Sequence, residues 1–341
     1  MTNRERIDWL ERERQLPREE MRALLKQHSE ADAEHLFARA RKAREGVYGK
    51  AVWLRGLIEF SSYCKNDCYY CGLRRGNGKA QRYRLSQAEI LDCCKDGYAL
   101  GLRTFVLQSG EDPYFTDERL CGIVREIRVQ YPDCAITLSL GERSRASYEA
   151  LYGAGAGRYL LRHETANAVH YAQLHPPGQT LASRMRCLRD LREIGFQAGC
   201  GFMVGSPGQT VDCLLDDLDF LRAFQPEMCG IGPFLPHRDT PFAQEPPGSL
   251  AATLFLLGVV RLLLPNVLLP ATTALGTARP AGREQGLRAG ANILMPNLTP
   301  PALRGQYQLY DGKHSGALPE LRQQVENAGY FVEIARGDPI V

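Results

Sequence analysis

Cys64, Cys68 and Cys71 stand together in the run Phe60-Ser-Ser-Tyr-Cys-Lys-Asn-Asp-Cys-Tyr-Tyr-Cys-Gly72, a C-x3-C-x-aromatic-C spacing. Thiolates are soft, strongly donating ligands and suit iron–sulfur clusters. Three of them this close can hold three irons of a cubane [4Fe–4S] cluster. The fourth iron then has no protein ligand and is open to a small molecule. It can chelate the amino and carboxylate groups of S-adenosylmethionine (SAM), and an electron from the cluster can cleave the sulfonium. A structural zinc site would want four closed ligands, commonly as two C-x2-C pairs. No second pair and no C-x2-H follows the triplet.

The bulk composition suits a soluble enzyme. Of 341 residues, 44% are hydrophobic and 24% charged, an ordinary globular balance. The net charge of +3 is too small to argue for nucleic acid or a membrane surface as partner. Residues 1–15 are charged and lack an apolar core, so no secretory leader is legible. The longest apolar run, residues 250–264, contains Thr253, Gly258 and Arg261 and stops at Pro265, short of a bilayer span. A cytoplasmic setting is expected, where thiols stay reduced. Outside the triplet, most of the eleven cysteines are read as small buried hydrophobes.

These residues need a scaffold, and the chain order suggests one. Residues 1–50 read as a helical lead-in, with helices over 4–14, 18–27 and 29–44, a break at Pro17 and Ser29 as an N-cap. Short apolar runs then alternate with amphipathic stretches. Strands are predicted at 52–61, 104–109, 135–140, 158–163, 197–204, 228–234, 267–273 and 291–295. Helices are predicted at 87–98, 117–130, 183–194, 211–224 and 250–264, the first capped by Ser86 with Glu89 completing a capping box. This α/β alternation predicts a (β/α)8 TIM-type barrel over 51–315 with the N-terminal helical extension before it. Residues 316–341 read as a helical or irregular tail.

A barrel carries its active residues at the C-terminal ends of strands. The cysteine triplet follows the first strand, and other strand ends are unusually polar. Ser109-Gly110-Glu111 closes the second, and glycine there would let backbone carbonyls approach an ammonium. A plain turn explains the same tripeptide equally well. Arg162 and Glu164 are two apart, so on extended chain they share a face. The carboxylate could take an ammonium or ribose hydroxyls, and the guanidinium a substrate carboxylate. A simple internal ion pair is the competing reading. His163 points the other way. Thr272 and Thr273 could bind a carboxylate without adding charge, or reflect only the β-propensity of threonine. Met203, in a glycine-rich turn that lacks a P-loop lysine, could pack on an adenine or fill the core.

The ordered motifs at residues 55–64, 82–85, 106–114, 159–166, 230–237, 270–274, 295–300 and 307–313 resemble the radical SAM maturase family HydE of [FeFe]-hydrogenases. The resemblance implies a complete (β/α)8 barrel around a large cavity. It implies that Cys64, Cys68 and Cys71 hold one [4Fe–4S] cluster. Ser109, Glu164, Arg184 and Met203 fall where the family contacts SAM. Thr137, Arg162, Thr272, Thr273 and Tyr307 fall where it lines the substrate cavity with carboxylate-binding groups. The implied reaction starts with reductive cleavage of SAM to methionine and a 5′-deoxyadenosyl radical, which attacks sulfur. The implied substrate is a cysteine-bound iron carbonyl–cyanide synthon from the partner HydG, and the product goes to assembly on HydF. Many family members carry three further C-terminal cysteines for a second cluster. This chain has no cysteine after Cys229, and Ser315 stands where the first of those would be, so a single cluster is expected.

Two other classes compete. Methylornithine synthase, a radical SAM mutase of lysine, is similar in triplet and barrel. Biotin synthase needs several barrel cysteines around a second cluster, for which Cys200 and Cys229 are poor candidates. An iron–sulfur carrier would need neither eight strands nor a charged mouth. The basic run at residues 74–84 reads as a solvated loop, or as a docking face for an acidic electron donor such as ferredoxin or flavodoxin, in preference to a nucleic-acid site.

Overall fold

A computed structural model describes residues 1–340. Three helices come first: α1 (Asn3–Glu13), α2 (Arg18–Gln27) and α3 (Glu30–Tyr48). Thr2 and Ser29 close capping boxes on the first and third, supplying acceptors for otherwise orphaned amides. Then follow β1 (Ala51–Leu54), β2 (Gly56–Ser61), α4 (Gln87–Ala99), β3 (Thr104–Ser109), α5 (Asp117–Gln130), β4 (Ala135–Ser139), α6 (Arg145–Gly153) and β5 (Arg158–Leu160). The middle of the chain supplies α7 (Ala168–Leu174), α8 (Leu181–Ile194), β6 (Gln197–Cys200), β7 (Met203–Val204), α9 (Val211–Phe224), β8 (Met228–Cys229) and β9 (Gly232–Pro233). Last come α10 (Leu250–Leu263), α11 (Thr273–Ala278), α12 (Gly282–Arg288), β10 (Ile293–Leu294), α13 (Pro301–Arg304), α14 (Leu318–Asn327) and β11 (Phe331–Glu333).

Six strands pair in parallel in the order β2-β3-β4-β5-β6-β8, which needs helical crossovers and so buries both faces. Parallel bridges Met228↔Leu268, Pro270↔Ile293 and Leu57↔Asn297 extend beyond this sheet. A second sheet runs β10-β1-β11, and β7 pairs with β9. Between the strands and the helices lies one large core, including Phe105, Ile136, Leu188, Leu221 and Leu257. α10 is buried almost throughout, yet among the described residues no helix is long and apolar enough to cross a membrane.

The predicted strands differ from this in instructive places. The run 52–61 breaks at Arg55, because β1 pairs with β10 and β11 while β2 pairs with β3. The run 197–204 breaks at Gly201, whose φ is +151 and where a Cβ would overlap Gly230 O. The run 228–234 divides into β8 and β9, and β5 ends at Leu160 rather than at 163. The run 267–273 forms only isolated bridges: Pro270 has no ladder N–H, and Thr273 already begins α11. The tail predicted as helical or irregular contains β11, which pairs in parallel with β1 through Ala51↔Phe331, Val52↔Val332 and Trp53↔Glu333.

That tail covers the N-terminal ends of the strands. Arg158, the first residue of β5, is fully buried. It donates to Asp338 Oδ1 at 2.6 Å, to the carbonyls of Arg336 (3.1 Å) and Gly337 (3.2 Å), and to Gln197 Oε1 (2.7 Å). Arg55 Nη2 donates to Gly337 O at 3.1 Å. The buried guanidinium donors of Arg158 and Arg55 thus find acceptors in the Gly337 carbonyl and the half-exposed Asp338 carboxylate, as buried polar groups must.

The loop that carries the cysteine triplet, residues 62–84, has neither helix nor strand. Its carbonyls are met by side chains instead. Arg82 donates to Ser62 O, Leu73 O (2.9 Å) and Arg74 O (2.8 Å), and Asn77 Nδ2 to Gly72 O (2.8 Å). Asp67 holds Arg74 at 2.8 Å. At the loop's end Arg84 grips Asp112 with two nitrogens, at 2.7 and 2.9 Å, while Ser61 Oγ donates to the same carboxylate at 2.6 Å. Lys79 pairs with Asp239. Of the basic run's cations, all but Arg75 therefore already have acceptors on this chain, which weakens the expected basic docking face.

Two tests follow from these contacts. Arg158→Met should lower unfolding stability by roughly 1–2 kcal/mol, since it removes donors from the buried Gly337 carbonyl and from an Asp338 carboxylate that water can still reach. Hydrogen exchange at residues 331–338 should rise while the six-stranded sheet stays protected. Unchanged exchange in that tail would contradict its anchoring role. Asp112→Asn tests the loop clamp. Burial alone would raise the Asp112 carboxyl, but Arg84, Ser61 and the Tyr114 amide together hold it below the ordinary range. A carboxyl depressed in the fold stabilises fully above its unfolded value and loses that contribution as pH falls through its folded value. The stability gap between the parent and Asp112→Asn should be full at pH 7 and close below about pH 4 in urea titrations. A gap independent of pH would rule the clamp out.

Candidate active site

A cavity of about 330 Å³ opens among the C-terminal ends of the strands, and every site residue predicted above lines it. The loop after β2 brings Cys64, Cys68 and Cys71. β3 ends at Ser109, β4 carries Thr137, the chain beyond β5 brings Arg162 and Glu164, and α8 brings Arg184. β7 supplies Met203, the entry to α11 supplies Thr272 and Thr273, and the loop after α13 supplies Tyr307.

Close backbone approach makes the cysteine corner possible. A Cβ on Gly110 would overlap Tyr63 O and crowd Cys64 Cβ, and one on Gly72 would overlap Gln308 O and the His237 ring. Only glycine lets these chains meet beside the first and third cysteines. Lys65 N donates to Glu111 O at 2.8 Å, tying the triplet loop to the end of β3. Gln179 Nε2 lies 3.6 Å from Cys68 Sγ. Burial pushes all three thiols up, Cys68 to about 12, with Cys64 nearby adding to the effect. Thiols so placed become thiolates only when a strong Lewis acid replaces the proton. Among the described residues no three His, Cys, Asp or Glu side chains converge closely enough for one metal ion. A cubane makes no such demand, because its thiolates sit on different irons. The donor set therefore fits a cluster better than a zinc ion.

The wall opposite is polar and under-satisfied. Arg162 Nη2 and Glu164 Oε2 are 3.2 Å apart. They are too poorly aligned to hydrogen-bond, and both atoms, with Arg162 Nε, are buried without a partner. Thr137 Oγ1 and Thr272 Oγ1 are orphaned in the same way. Each such atom costs about 1–3 kcal/mol unless something meets it. Their gathering on one cavity is what a site for a polar, charged ligand requires. The ion-pair reading of Arg162 and Glu164 is therefore only half fulfilled.

Arg184 is held rigidly. Its Nε donates to Glu142 Oε1 at 2.7 Å and its Nη1 to Arg162 O, while Ser183 Oγ donates to Glu142 Oε2 at 2.6 Å. Glu142 is fixed in turn by its own amide, which donates to Glu111 Oε1 at 2.8 Å. The Ser109 hydroxyl donates to Gly110 O at 2.7 Å. Met203 packs with Leu174 and Phe234, so it serves the core as well as the cavity wall.

Sequence reasoning missed the most buried charge here. Glu59, on β2, is wholly buried, pairs with Lys313 Nζ, and accepts from Asn297 Nδ2 at 2.8 Å. Thr299 Oγ1 accepts from Glu59 N at 2.8 Å. Burial raises the Glu59 carboxyl, and Lys313 opposes that rise. Lys313 Nζ also lies 5.1 Å from the centre of the Tyr307 ring. A lone glutamate inside the apolar run Leu57-Ile-Glu-Phe60 was the available signal, since an unpaired charge is not buried there.

Residues 58–221 match the Radical SAM superfamily. The [FeFe] hydrogenase maturase subunit HydE of Thermotoga maritima is 47% identical over 313 residues, 92% of this chain and 89% of that protein. The 3-methylornithine synthase of Methanosarcina acetivorans is 32% identical over 82% of this chain and 79% of its own length. The crystal structure of methylornithine synthase PylB superposes with a TM-score of 0.85 at 27% identity, covering 96% of this chain and 97% of that one. The maturase HydG of Carboxydothermus hydrogenoformans superposes with a TM-score of 0.82 at 24% identity, over 96% of this chain and 78% of its own, a likeness of fold alone. With a cysteine-bearing loop, a polar cavity and close identity along almost its whole length, the chain belongs to the HydE family of [FeFe] hydrogenase maturases, within the radical SAM superfamily.

Proposed function

We propose that the cavity holds a single [4Fe–4S] cluster on Cys64, Cys68 and Cys71 together with SAM, and acts on a small sulfur-containing carboxylate. The observation that carries this is the meeting, in one cavity, of three free thiols with orphaned atoms of Arg162, Glu164, Thr137 and Thr272. When bound, the cluster supplies the electron that cleaves SAM to methionine and a 5′-deoxyadenosyl radical. The chain's own residues position the partners. Glu164 offers its free carboxylate oxygen to an ammonium or to ribose hydroxyls. Arg184, braced by Glu142, offers charge to a carboxylate, with Ser109 and Met203 beside it. Arg162 with Thr272, Thr273, Thr137 and Tyr307 forms a desolvated pocket for a substrate carboxylate, where charge-assisted bonds are strong.

The substrate we favour is the cysteine-bound iron carbonyl–cyanide synthon, with HydG as its source and HydF as the assembly partner. The 47% identity to HydE supports this reading over the lysine mutase. A single cluster is supported by Ser315, which accepts from Asn297 at 3.2 Å instead of offering a thiol. The bridges from β8 through Leu268, Pro270 and Ile293 to Asn297 and β2 support a complete eight-stranded barrel. The order of elements supports a helical lead-in over 1–50 and a barrel over 51–315. Helix α14 supports the reading of 316–341 as a tail outside the barrel, and the pairing of β11 with β1 adds a strand to it. Eleven free cysteines support a reducing, cytoplasmic setting. Ferredoxin or flavodoxin remains the proposed electron donor, with exposed Arg75 as the cation of the basic run left for it.

Anaerobic reconstitution should load about four irons per chain, and replacing all three cysteines with alanine should remove them. Dithionite should then give 5′-deoxyadenosine from SAM. Glu164→Gln or Arg184→Ala should weaken SAM binding with iron content intact. Arg162→Ala should cost about 2–5 kcal/mol of substrate binding. A covalent deoxyadenosyl–sulfur product from the synthon, or from a small sulfur amino acid, would support the reading. Rearrangement of lysine with both sulfur substrates ignored would replace it with the mutase.

A further inference from the structure

Glu164 has a backbone that its side chain does not explain. Among the described residues three non-glycine residues have positive φ. Arg14 and Gln225 end α1 and α9, where a left-handed residue is routine. Glu164, at φ +65, ends no helix. A left-handed glutamate is strained and persists only where its surroundings over-determine it.

Those surroundings lie behind the cavity wall. His163 and Asp217 are both fully buried and neither lines the cavity. Gly201 N donates to His163 Nδ1 at 3.3 Å, so Nδ1 carries no proton and Nε2 does. Nε2 then donates to Asp217 Oδ1 at 3.2 Å, and the same oxygen accepts from Ala166 N at 2.6 Å. Glu164 itself is clamped between Gly201 O, which takes its N–H at 3.0 Å, and Met203 N, which donates to its carbonyl at 3.1 Å. The ring of His163 packs on Phe220 at 4.8 Å and on Phe202 at 6.0 Å. The chain is therefore gripped on both sides of Glu164 by one carboxylate and one imidazole, carried on α9 and on the back of the wall.

We infer that His163 and Asp217 are positioning residues: they hold the left-handed turn that aims the Glu164 carboxylate into the cavity. This rests on the reading that Glu164 binds SAM. Neither residue touches the ligand. Their effect passes entirely through Glu164, and the hydrogen bonds rather than the charge of Asp217 do the holding.

The test is the SAM dissociation constant of the reconstituted protein, with iron content and thermal midpoint measured alongside. His163→Phe keeps the ring packing and removes both nitrogens, and Asp217→Ala removes the shared acceptor. Each should weaken SAM binding about tenfold, the scale of one hydrogen bond to a charged group. Asp217→Asn retains Oδ1 as acceptor and should stay within about twofold of the parent even if its thermal midpoint drops. In a Glu164→Gln background, His163→Phe should add no further loss, because coupled residues are non-additive. A purely structural role would instead lower the thermal midpoint and give additive losses. Should Asp217→Ala fail to fold, His163→Phe and Asp217→Asn still decide. If Glu164→Gln weakens SAM while His163→Phe leaves affinity unchanged or adds fully, this proposal fails and the Glu164 reading stands. If Asp217→Asn loses as much as Asp217→Ala, the shared-acceptor argument is overturned. If Glu164→Gln itself changes nothing, the cofactor reading falls and takes this one with it.

Discussion

The Asp112 carboxylate, fully buried and shared by Arg84 and Ser61, is the fixed point on which the cavity depends. A loop without ladder hydrogen bonds must satisfy its polar groups some other way. Here one end of the cysteine loop is bound to the end of β2 and to the segment after β3 through a single anion. Arg82 then spreads its donors across the loop's carbonyls. The arrangement replaces secondary structure with guanidinium geometry, whose planar fork loses little freedom per bond formed. Three cysteines can thus face one space without a helix or strand to carry them.

On that foundation the chain performs radical SAM chemistry as a member of the HydE family. The fold is shared with methylornithine synthase at a TM-score of 0.85, so the scaffold does not decide the reaction. What this chain adds to that scaffold is a cavity lined by a guanidinium, threonine hydroxyls and a buried glutamate–lysine pair.

Much of the site was legible because its parts are local. The cysteine spacing is contained in a few residues. Arg162 and Glu164 share the cavity wall, though not by strand alternation: β5 stops at Leu160, and Glu164 is left-handed with only an isolated bridge to Phe202. α5 and α9 were bounded correctly because caps and periodicity are local signals. What escaped depends on distant partners. Glu59 meets Lys313 across 254 positions, and nothing near either residue encodes the other. The division of the first strand at Arg55 follows from a change of neighbours, as does the capture of β11 by β1. Neither alters the apolar pattern along the chain. Thr273 has strand propensity and begins a helix, because Pro270 had already ended the ladder.

The tail that Arg158 and Arg55 hold across the strand N-termini turns the cavity into a cul-de-sac. Traffic in a blind chamber is governed by depth. Thr137 lies inside β4, in register with Val106, whereas Ser109 closes β3 nearer the cysteine loop. A group held at Thr137 therefore lies deeper than one held at Ser109.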